Sequence, residues 1–186
     1  MTQDNEATRT LQRWIEEEER LRGRSGNEEF GVARPQQFAN RSGLDILQAM
    51  LRGEWPSPPI CRTLDFVLIA AGPNVTVFQG TPRFDHYNPL GSVHGGWIAT
   101  LLDSAVGCAV QTTLAPGKAY TTIELKVNMV RAVTDGVRRV RAEGRLIHAG
   151  SRVATAEGRL VGPDGRLYAH ASTTCLLFDA PQSAAV

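Results

Sequence analysis

An excess of charge of either sign is what this sequence lacks most plainly. Twenty Lys and Arg stand against nineteen Asp and Glu, a formal net charge of +1. That balance excludes a general electrostatic grip on nucleic acid or on an anionic membrane, so any anionic ligand has to be held by local cations. Cysteine is scarce as well. Cys61, Cys108 and Cys175 form an odd set without CxxC spacing, each among apolar neighbours, and they read as free thiols of a core. His86, His94, His148 and His170 are scattered, with neither HExxH nor paired CxxC units, so no metal is expected. No stretch reaches 18 consecutive apolar residues, which excludes a spanning helix. The start MTQDNEATRT, running on into WIEEEER, has neither the basic start nor the apolar stretch of a secretory leader. With unpaired thiols, this makes a cytoplasmic location the expectation.

What is present suits one domain with an extension: 186 residues, 42% of them hydrophobic. Residues 1–59 read as a partly helical extension, 60–180 as the domain and 181–186 as a tail. The first 40 residues are polar and charged. They predict one helix from about Thr8 to Arg22, followed by a connector rich in Gly, Asn, Pro and Gln that reaches Asn40. A second short helix, Gly43 to Leu51, sets Leu44, Ile46, Leu47, Met50 and Leu51 largely on one side, and the run EWPSPPI ends it.

From Arg62 the texture becomes β-rich. TLDFVLIAA and NVTVFQG flank the turn signal Gly72-Pro73-Asn74, and PRFDHYNPLGSVHGG then reads as loop. The longest apolar segment, WIATLLDSAVGCAVQTTL, ends at Pro116-Gly117 and is long enough to favour a helix. Four strand-like runs follow, near 120–131, 137–147, 153–162 and 166–178. Asp135-Gly136, Ala149-Gly150 and Pro163-Asp164-Gly165 mark turns between expected antiparallel neighbours. In TTIELKVNM the apolar Ile123, Leu125, Val127 and Met129 alternate with Thr122, Glu124, Lys126 and Asn128, as a strand with one buried face requires. Val140, Ala142, Gly144 and Leu146 alternate with Arg139, Arg141, Glu143 and Arg145, and Ala154, Ala156, Gly158 and Leu160 repeat the pattern. Ala and Gly in the middle of two inner faces leave room for something thick to approach the sheet. The long apolar helix is the natural occupant, giving an α+β domain of order ββ-α-ββββ.

That helix contains an anomaly. Apolar residues cover most of its circumference, so it is expected to be buried nearly all round, yet it carries Asp103. Thr100, Asp103, Ser104, Gly107 and Gln111 form a narrow polar or small stripe that must face a partner or a pocket. Two readings are open for Asp103: a buried structural carboxylate satisfied by hydroxyls or N–H groups, or a general base or nucleophile tuned by its surroundings. Its helix begins at His94-Gly95-Gly96. The first N–H groups of a helix lack intrahelical partners, and glycine lets a ligand approach them, so the Gly95 N–H is a candidate oxyanion donor. Gly95 and Asp103 are eight residues apart, about 12 Å along the axis. One carbonyl group does not reach both. Two copies of the helix packed antiparallel would bring Asp103 of one beside Gly95 of the other, so at least a dimer is expected.

The combination of Asn88, His94-Gly95-Gly96, Asp103 and TTIELKVNMVRA resembles the PaaI-like (phenylacetate-degradation) branch of hotdog-fold acyl-CoA thioesterases over about residues 60–178. The resemblance implies an antiparallel sheet wrapped around a long central helix. It also implies hydrolysis of an aryl-acyl- or medium-chain acyl-CoA by a homodimer or a dimer-of-dimers tetramer, without metal or redox cofactor, coenzyme A being part of the substrate. By position it assigns Asp103 as the catalytic carboxylate, Gly95 as the oxyanion N–H, Asn88 as a polar group beside the thioester and Thr122 as a hydroxyl that places water or carboxylate. His94 would shape the loop by hydrogen bonding. Gly96, Arg131, His148, Gly150, Ser151 and Arg152 would contact coenzyme A. The family often has Arg-Pro where this chain has Arg131-Ala132, and its minimal pattern has no counterpart of the first 40 residues. Two rival functions stay in view: an acyl-CoA-binding module without turnover, and an enoyl-CoA hydratase, which would need an Asp and His pairing not evident here.

Overall fold

The structure, a computed structural model, describes residues 2–24, 30–32 and 40–180. Most of the connector before Asn40 and the tail 181–186 lie outside the described residues. Helix α1 (Thr2–Arg22) starts more than a turn before the expected Thr8. Helix α2 (Gly43–Leu51) is fixed by a capping box, in which the Ser42 hydroxyl accepts from the Asp45 N–H and the Asp45 carboxylate accepts from the Ser42 N–H. The Pro-rich run after it also starts a short helix, α3 (Pro59–Thr63), because proline suits a first helical position.

Strands β1 (Phe66–Gly72), β2 (Val75–Gly80), β3 (Lys118–Met129), β4 (Val140–Ala149), β5 (Val153–Val161) and β6 (Leu167–Asp179) form one sheet in the order β1-β2-β4-β5-β6-β3, with every pairing antiparallel. Helix α4 (Gly95–Gln111) lies between β2 and β3 in the chain, so the order is the expected ββ-α-ββββ. One expected turn is corrected. Asp135-Gly136 does not join neighbours, since β3 pairs with β6 while β4 lies between β2 and β5. Both flanks of β4 are taken, so the chain from Val130 to Arg139 crosses from an edge to the middle of the sheet. It does so through a 3-10 turn at Asp135–Val137, with Val133 fully buried and Arg138 left-handed at φ 65°.

The inner face of the sheet wraps α4. Leu101, Leu102, Ala105, Val106, Ala109 and Val110 of the helix are fully buried, as are Val140, Ala142, Ala154, Ala156 and Leu160 of the strands. The small inner-face residues are required by close approach: a Cβ on Gly144 would stand 2.2 Å from the Ala105 carbonyl oxygen, and one on Gly158 2.6 Å from Val106 Cγ1. At the same height the Thr76 hydroxyl donates to the Ala105 carbonyl over 2.7 Å.

The N-terminal helix is not a loose appendage. It packs on the opposite, outer face of the sheet, where Leu21 meets Val67 and Ile69. Strand β1 is therefore buried on both faces, with Phe66 and Leu68 turned to the inner core, which accounts for its unbroken apolar run. A polar lock completes the contact. Gln79 Nε2 donates to the Trp14 carbonyl at 3.0 Å and to Glu18 at 2.7 Å, Arg139 bonds Glu18 and Arg141 bonds Glu17, both at 2.6 Å. The Arg141 guanidinium also lies 4.4 Å from the centre of the Trp14 ring. No helix among the described residues is long and apolar enough to cross a membrane.

Candidate active site

The site is built on α4 and on the edge strand β3. His94 caps the helix: its Nδ1 accepts the Gly96 N–H at 2.8 Å, which in the neutral ring puts the proton on Nε2. Its own N–H donates to the His86 carbonyl at 2.7 Å. The second amide of the helix is thus consumed by its cap. Among the described residues, the Gly95 N–H donates to no protein acceptor. Gly95 is half-buried, and the Met129 thioether lies directly against its α-carbon: a Cβ there would stand 2.7 Å from Met129 Cε. A side chain at this position would displace the flexible end of Met129, which forms an apolar wall next to the open amide.

Two turns further along, the Thr122 hydroxyl donates to Asp103 Oδ1 at 3.0 Å. The expectation of a helix buried nearly all round is corrected here. Thr100, Asp103, Ser104 and Gln111 are only half-buried, so the polar stripe is open along one side of α4 in the single chain. The expected alternation along β3 is corrected too. A bulge between Thr122 and Glu124 shifts the register against β6, so that Thr122 lies opposite the buried Cys175 and Leu125 opposite the buried Thr173. Ile123 is the extra residue and is 58% exposed. The bulge turns Thr122 inward, where its hydroxyl reaches the carboxylate.

The remaining expected residues are placed less uniformly. Asn88 spends its side chain on its own loop, with Oδ1 accepting the Leu90 N–H at 2.8 Å and Nδ2 donating to the Ser92 hydroxyl at 3.1 Å. Arg131 is exposed just beyond Met129, at the end of the sheet that holds the start of α4. The turn His148-Ala149-Gly150-Ser151-Arg152 is exposed at the opposite end, next to the first residues of β5 and the last of β6. The paired stretch of β3 between these ends, Thr121 to Met129, spans about 26 Å. One chain does not bring Arg131 and this turn around a single small ligand. Neither Arg131 nor Arg152 forms an ion pair among the described residues.

Tyr120 and Cys175 were not foreseen as neighbours of the carboxylate. Tyr120 precedes Thr122 by two positions on the same inward face, and its Oη would be 2.9 Å from a Cβ on Gly107. The period of two along β3, carried back from Thr122, would have found it. Burial pushes the Cys61 thiol up to about 12 and raises Cys175 as well, so both thiols stay protonated in the core. Among the described residues no group of three or more His, Cys, Asp or Glu side chains is placed to hold a metal ion.

A sheet wrapped round one long helix, with a half-exposed carboxylate on that helix and an unbonded glycine amide at its start, makes this a hotdog-fold protein. Residues 90–169 match the Thioesterase superfamily. Among solved structures, a phenylacetic acid degradation-related protein from Ralstonia eutropha JMP134 is 30% identical at a TM-score of 0.64, with 70% of this chain and 98% of that one covered. A conserved protein from Pseudomonas aeruginosa is 26% identical at 0.61, covering 64% and 94%. A thioesterase from Haemophilus influenzae, 18% identical at 0.61 over 68% and 87%, shares the fold. No curated protein matches the chain. The chain belongs to the thioesterase superfamily, in its PaaI-like branch.

Proposed function

We propose that the protein hydrolyses an acyl-CoA thioester, with an aryl-acyl or medium-chain acyl group, in an active site shared by two subunits. The observation that carries this reading is the pairing of a Thr122-held Asp103 with an unbonded Gly95 N–H on one helix, too far apart to serve one carbonyl within a chain. Two antiparallel copies of α4, facing each other along the open stripe, put Asp103 of one beside Gly95 of the other. The same arrangement supplies Arg131 from one subunit and the His148–Arg152 turn from its partner, as local cations and N–H groups for the phosphates of coenzyme A. A homodimer is the minimum, and a dimer of dimers uses the same site.

In the reaction the thioester oxygen accepts the Gly95 N–H, which stabilises the negative charge that gathers there. Asp103 takes a proton from water as the water oxygen bonds to the carbonyl carbon. Collapse of the tetrahedral adduct then breaks the C–S bond and releases the coenzyme A thiolate, with the free acid as the other product. Direct attack by Asp103, forming an anhydride that water then opens, starts from the same geometry. Thr122 holds the carboxylate, His94 holds the helix start, Gly96 lines the entry, and Asn88 keeps its loop beside the thioester. Free core thiols accord with a reducing, cytoplasmic setting.

The test is thiol release from phenylacetyl-, hydroxybenzoyl-, short-chain and medium-chain acyl-CoAs, with Asp103→Asn in parallel. Turnover by the native chain that falls by a factor of about 10² or more in Asp103→Asn, at unchanged fold, is the expected result. No release from folded, dimeric protein across the panel would favour a binding module instead.

A further inference from the structure

The Ralstonia protein is covered over 98% of its length by 70% of this chain, so about 30% of this chain lies outside what the two share. In the sequence the first 40 residues have no counterpart in the minimal family pattern, and in the structure their helix α1 reaches the active-site loop through a single carboxylate. Arg22, in the last turn of α1, donates through Nη2 to Asp65 Oδ1 at 2.9 Å. Arg83, at the start of the loop that leads into α4, pairs with the other oxygen, Oδ2. Asp65 itself lies in the left-handed region at φ 48°, which Asp and Asn adopt more readily than other non-glycine residues. Its side chain is 16% exposed, against 57% for Arg83.

The corner formed by Leu64 and Asp65 touches the site at further points. The Leu64 carbonyl accepts the Trp97 indole N–H at 2.8 Å, and the Asp65 carbonyl accepts the Thr81 N–H at 3.0 Å. From Arg83 the connection continues over short steps. The Arg83 N–H donates to His86 Nδ1 at 3.2 Å, the His86 ring stacks on Trp97 with centroids 5.3 Å apart, and the His86 carbonyl takes the N–H of His94, the helix cap beside Gly95. Every step between Asp65 and His94, whose peptide bond carries the open amide, is a hydrogen bond, an ion pair or a ring contact.

We propose that Asp65 is a positioning residue for the Gly95 amide, and that the N-terminal helix anchors it through Arg22. This inference rests on the proposed thioesterase reading, in which Gly95 is the oxyanion donor. Removing the carboxylate frees Arg83 and the loop from Thr81 to His94, and the N–H drifts from the place where the carbonyl oxygen must sit. Binding of the coenzyme A phosphates, which draws on Arg131 and the His148–Arg152 turn, is then little affected. A misplacement on the order of 1 Å at a reacting centre lowers the rate by roughly 10²-fold.

The experiment uses the full chain and compares Asp65→Asn, Arg22→Met and Arg83→Met with the double variant Asp65→Asn/Arg22→Met. Asparagine tolerates the left-handed backbone, so Asp65→Asn removes charge without adding backbone strain. Expected for Asp65→Asn is a fall in kcat of about 10-fold or more, with KM within about 2-fold. Arg22→Met should give a smaller fall that disappears in the Asp65→Asn background, as for two residues acting through one contact. Arg83→Lys, which retains the pair, should keep most of the activity that Arg83→Met loses. Amide hydrogen exchange supplies the readout that does not depend on turnover: Asp65→Asn should speed exchange at His94 and Gly96 by 10-fold or more while amides in the middle of β5 are unchanged. Native kcat in Asp65→Asn, or a loss in kcat matched by faster exchange throughout the sheet, would overturn the proposal. Should the native chain release no thiol, the thioesterase reading fails separately, and unchanged exchange at His94 and Gly96 would still refute Asp65 as the element that positions the helix start.

Discussion

Gly144→Ala tests the central construction of the site, the close seating of α4 on the sheet. The new methyl would stand 2.2 Å from the Ala105 oxygen, 2.5 Å from its carbonyl carbon and 2.9 Å from the Val106 nitrogen. All three are backbone atoms of α4, so no side-chain rotation relieves the contact. Restoring an ordinary separation requires the helix to withdraw by about 1.2 Å. Asp103 is two residues from Ala105 on the same helix, and its 3.0 Å bond to Thr122 then passes beyond hydrogen-bonding reach. Overpacking of this kind costs about 1–3 kcal/mol, which for a chain of this size lowers Tm by roughly 2–12 °C. The accompanying displacement of the carboxylate should reduce kcat by roughly 10²-fold. Gly158→Ala is the control. Its methyl meets Val106 Cγ1 at 2.6 Å, a side-chain atom, so its smaller loss should be largely recovered in Gly158→Ala/Val106→Ala, whereas truncating Val106 should not rescue Gly144→Ala. Thermal melts followed by circular dichroism and thiol release measure the two effects. A Gly144→Ala protein with native Tm and native turnover would refute the claim that helix and sheet touch here without slack.

Two further perturbations address the carboxylate and the N-terminal helix. Thr122→Val keeps the shape but removes the hydroxyl that donates to Asp103; losing a hydrogen bond to a charged group, about 1.5–3 kcal/mol, corresponds to a fall in kcat of roughly 10- to 100-fold, with Tm nearly unchanged. Equal kcat in steady-state thiol release would remove Thr122 from the mechanism. Glu18 is buried, which by itself raises a carboxyl pKa, but its bonds to Arg139 and Gln79 and the nearby charges of Arg139 and Arg22 outweigh this and hold the group below its ordinary value of 4.5. The folded state therefore binds the proton less readily than the unfolded state. The resulting stability is fully present above pH 4.5 and is lost as pH falls through the depressed value. Denaturant melts of Glu18→Gln should show a lower plateau near neutrality and a shallower decline into acid than the native chain; identical acid limbs would dissociate Glu18 from the contact between α1 and the sheet.

How far the sequence carried the fold depends on which forces leave a trace in residue order. The helix α4, the hairpin at Gly72-Pro73-Asn74 and the small inner-face residues Gly144 and Gly158 were legible because burial and close approach impose periodicity and size. The connection after β3 was not. Asp135-Gly136 carries a turn signal, and a turn is present there, but local chemistry does not say whether the strands on either side become neighbours. That is decided by β2 and β5 occupying both flanks of β4. The docking of α1 was equally hidden. Arg139, Arg141 and Gln79 look like residues of a solvated face, and only their partners, the buried Trp14 and Glu18 and the half-buried Glu17, reveal that this face is covered. One signal did exist in the apolar run Phe66-Val67-Leu68-Ile69, which lacks the alternation of a half-exposed strand and so calls for a cover on each side.

The candidate site was legible in its members but not in its geometry, and β3 gives the reason. Strict alternation sets Thr122 on the face opposite Leu125, Val127 and Met129, while its expected role beside Asp103 needs it on theirs. Both cannot hold on a regular strand. The structure resolves the conflict by making Ile123 an extra residue, so that Thr122 faces inward together with Leu125, Val127 and Met129. The displaced Ile123 is then left 58% exposed, an arrangement that packing alone disfavours. The bulge therefore does two things at once: it exposes an isoleucine and turns a threonine toward the carboxylate. Of the two readings that the sequence left open for Asp103, the structural one asks only for a hydroxyl from any direction, and Ser104 and Thr100 on the same helix already spend theirs on the backbone carbonyls of Thr100 and Gly96. The bulge brings one from across the interior instead and leaves the second carboxylate oxygen, Oδ2, without a hydrogen bond among the described residues, on the stripe where a second subunit would carry its Gly95 amide.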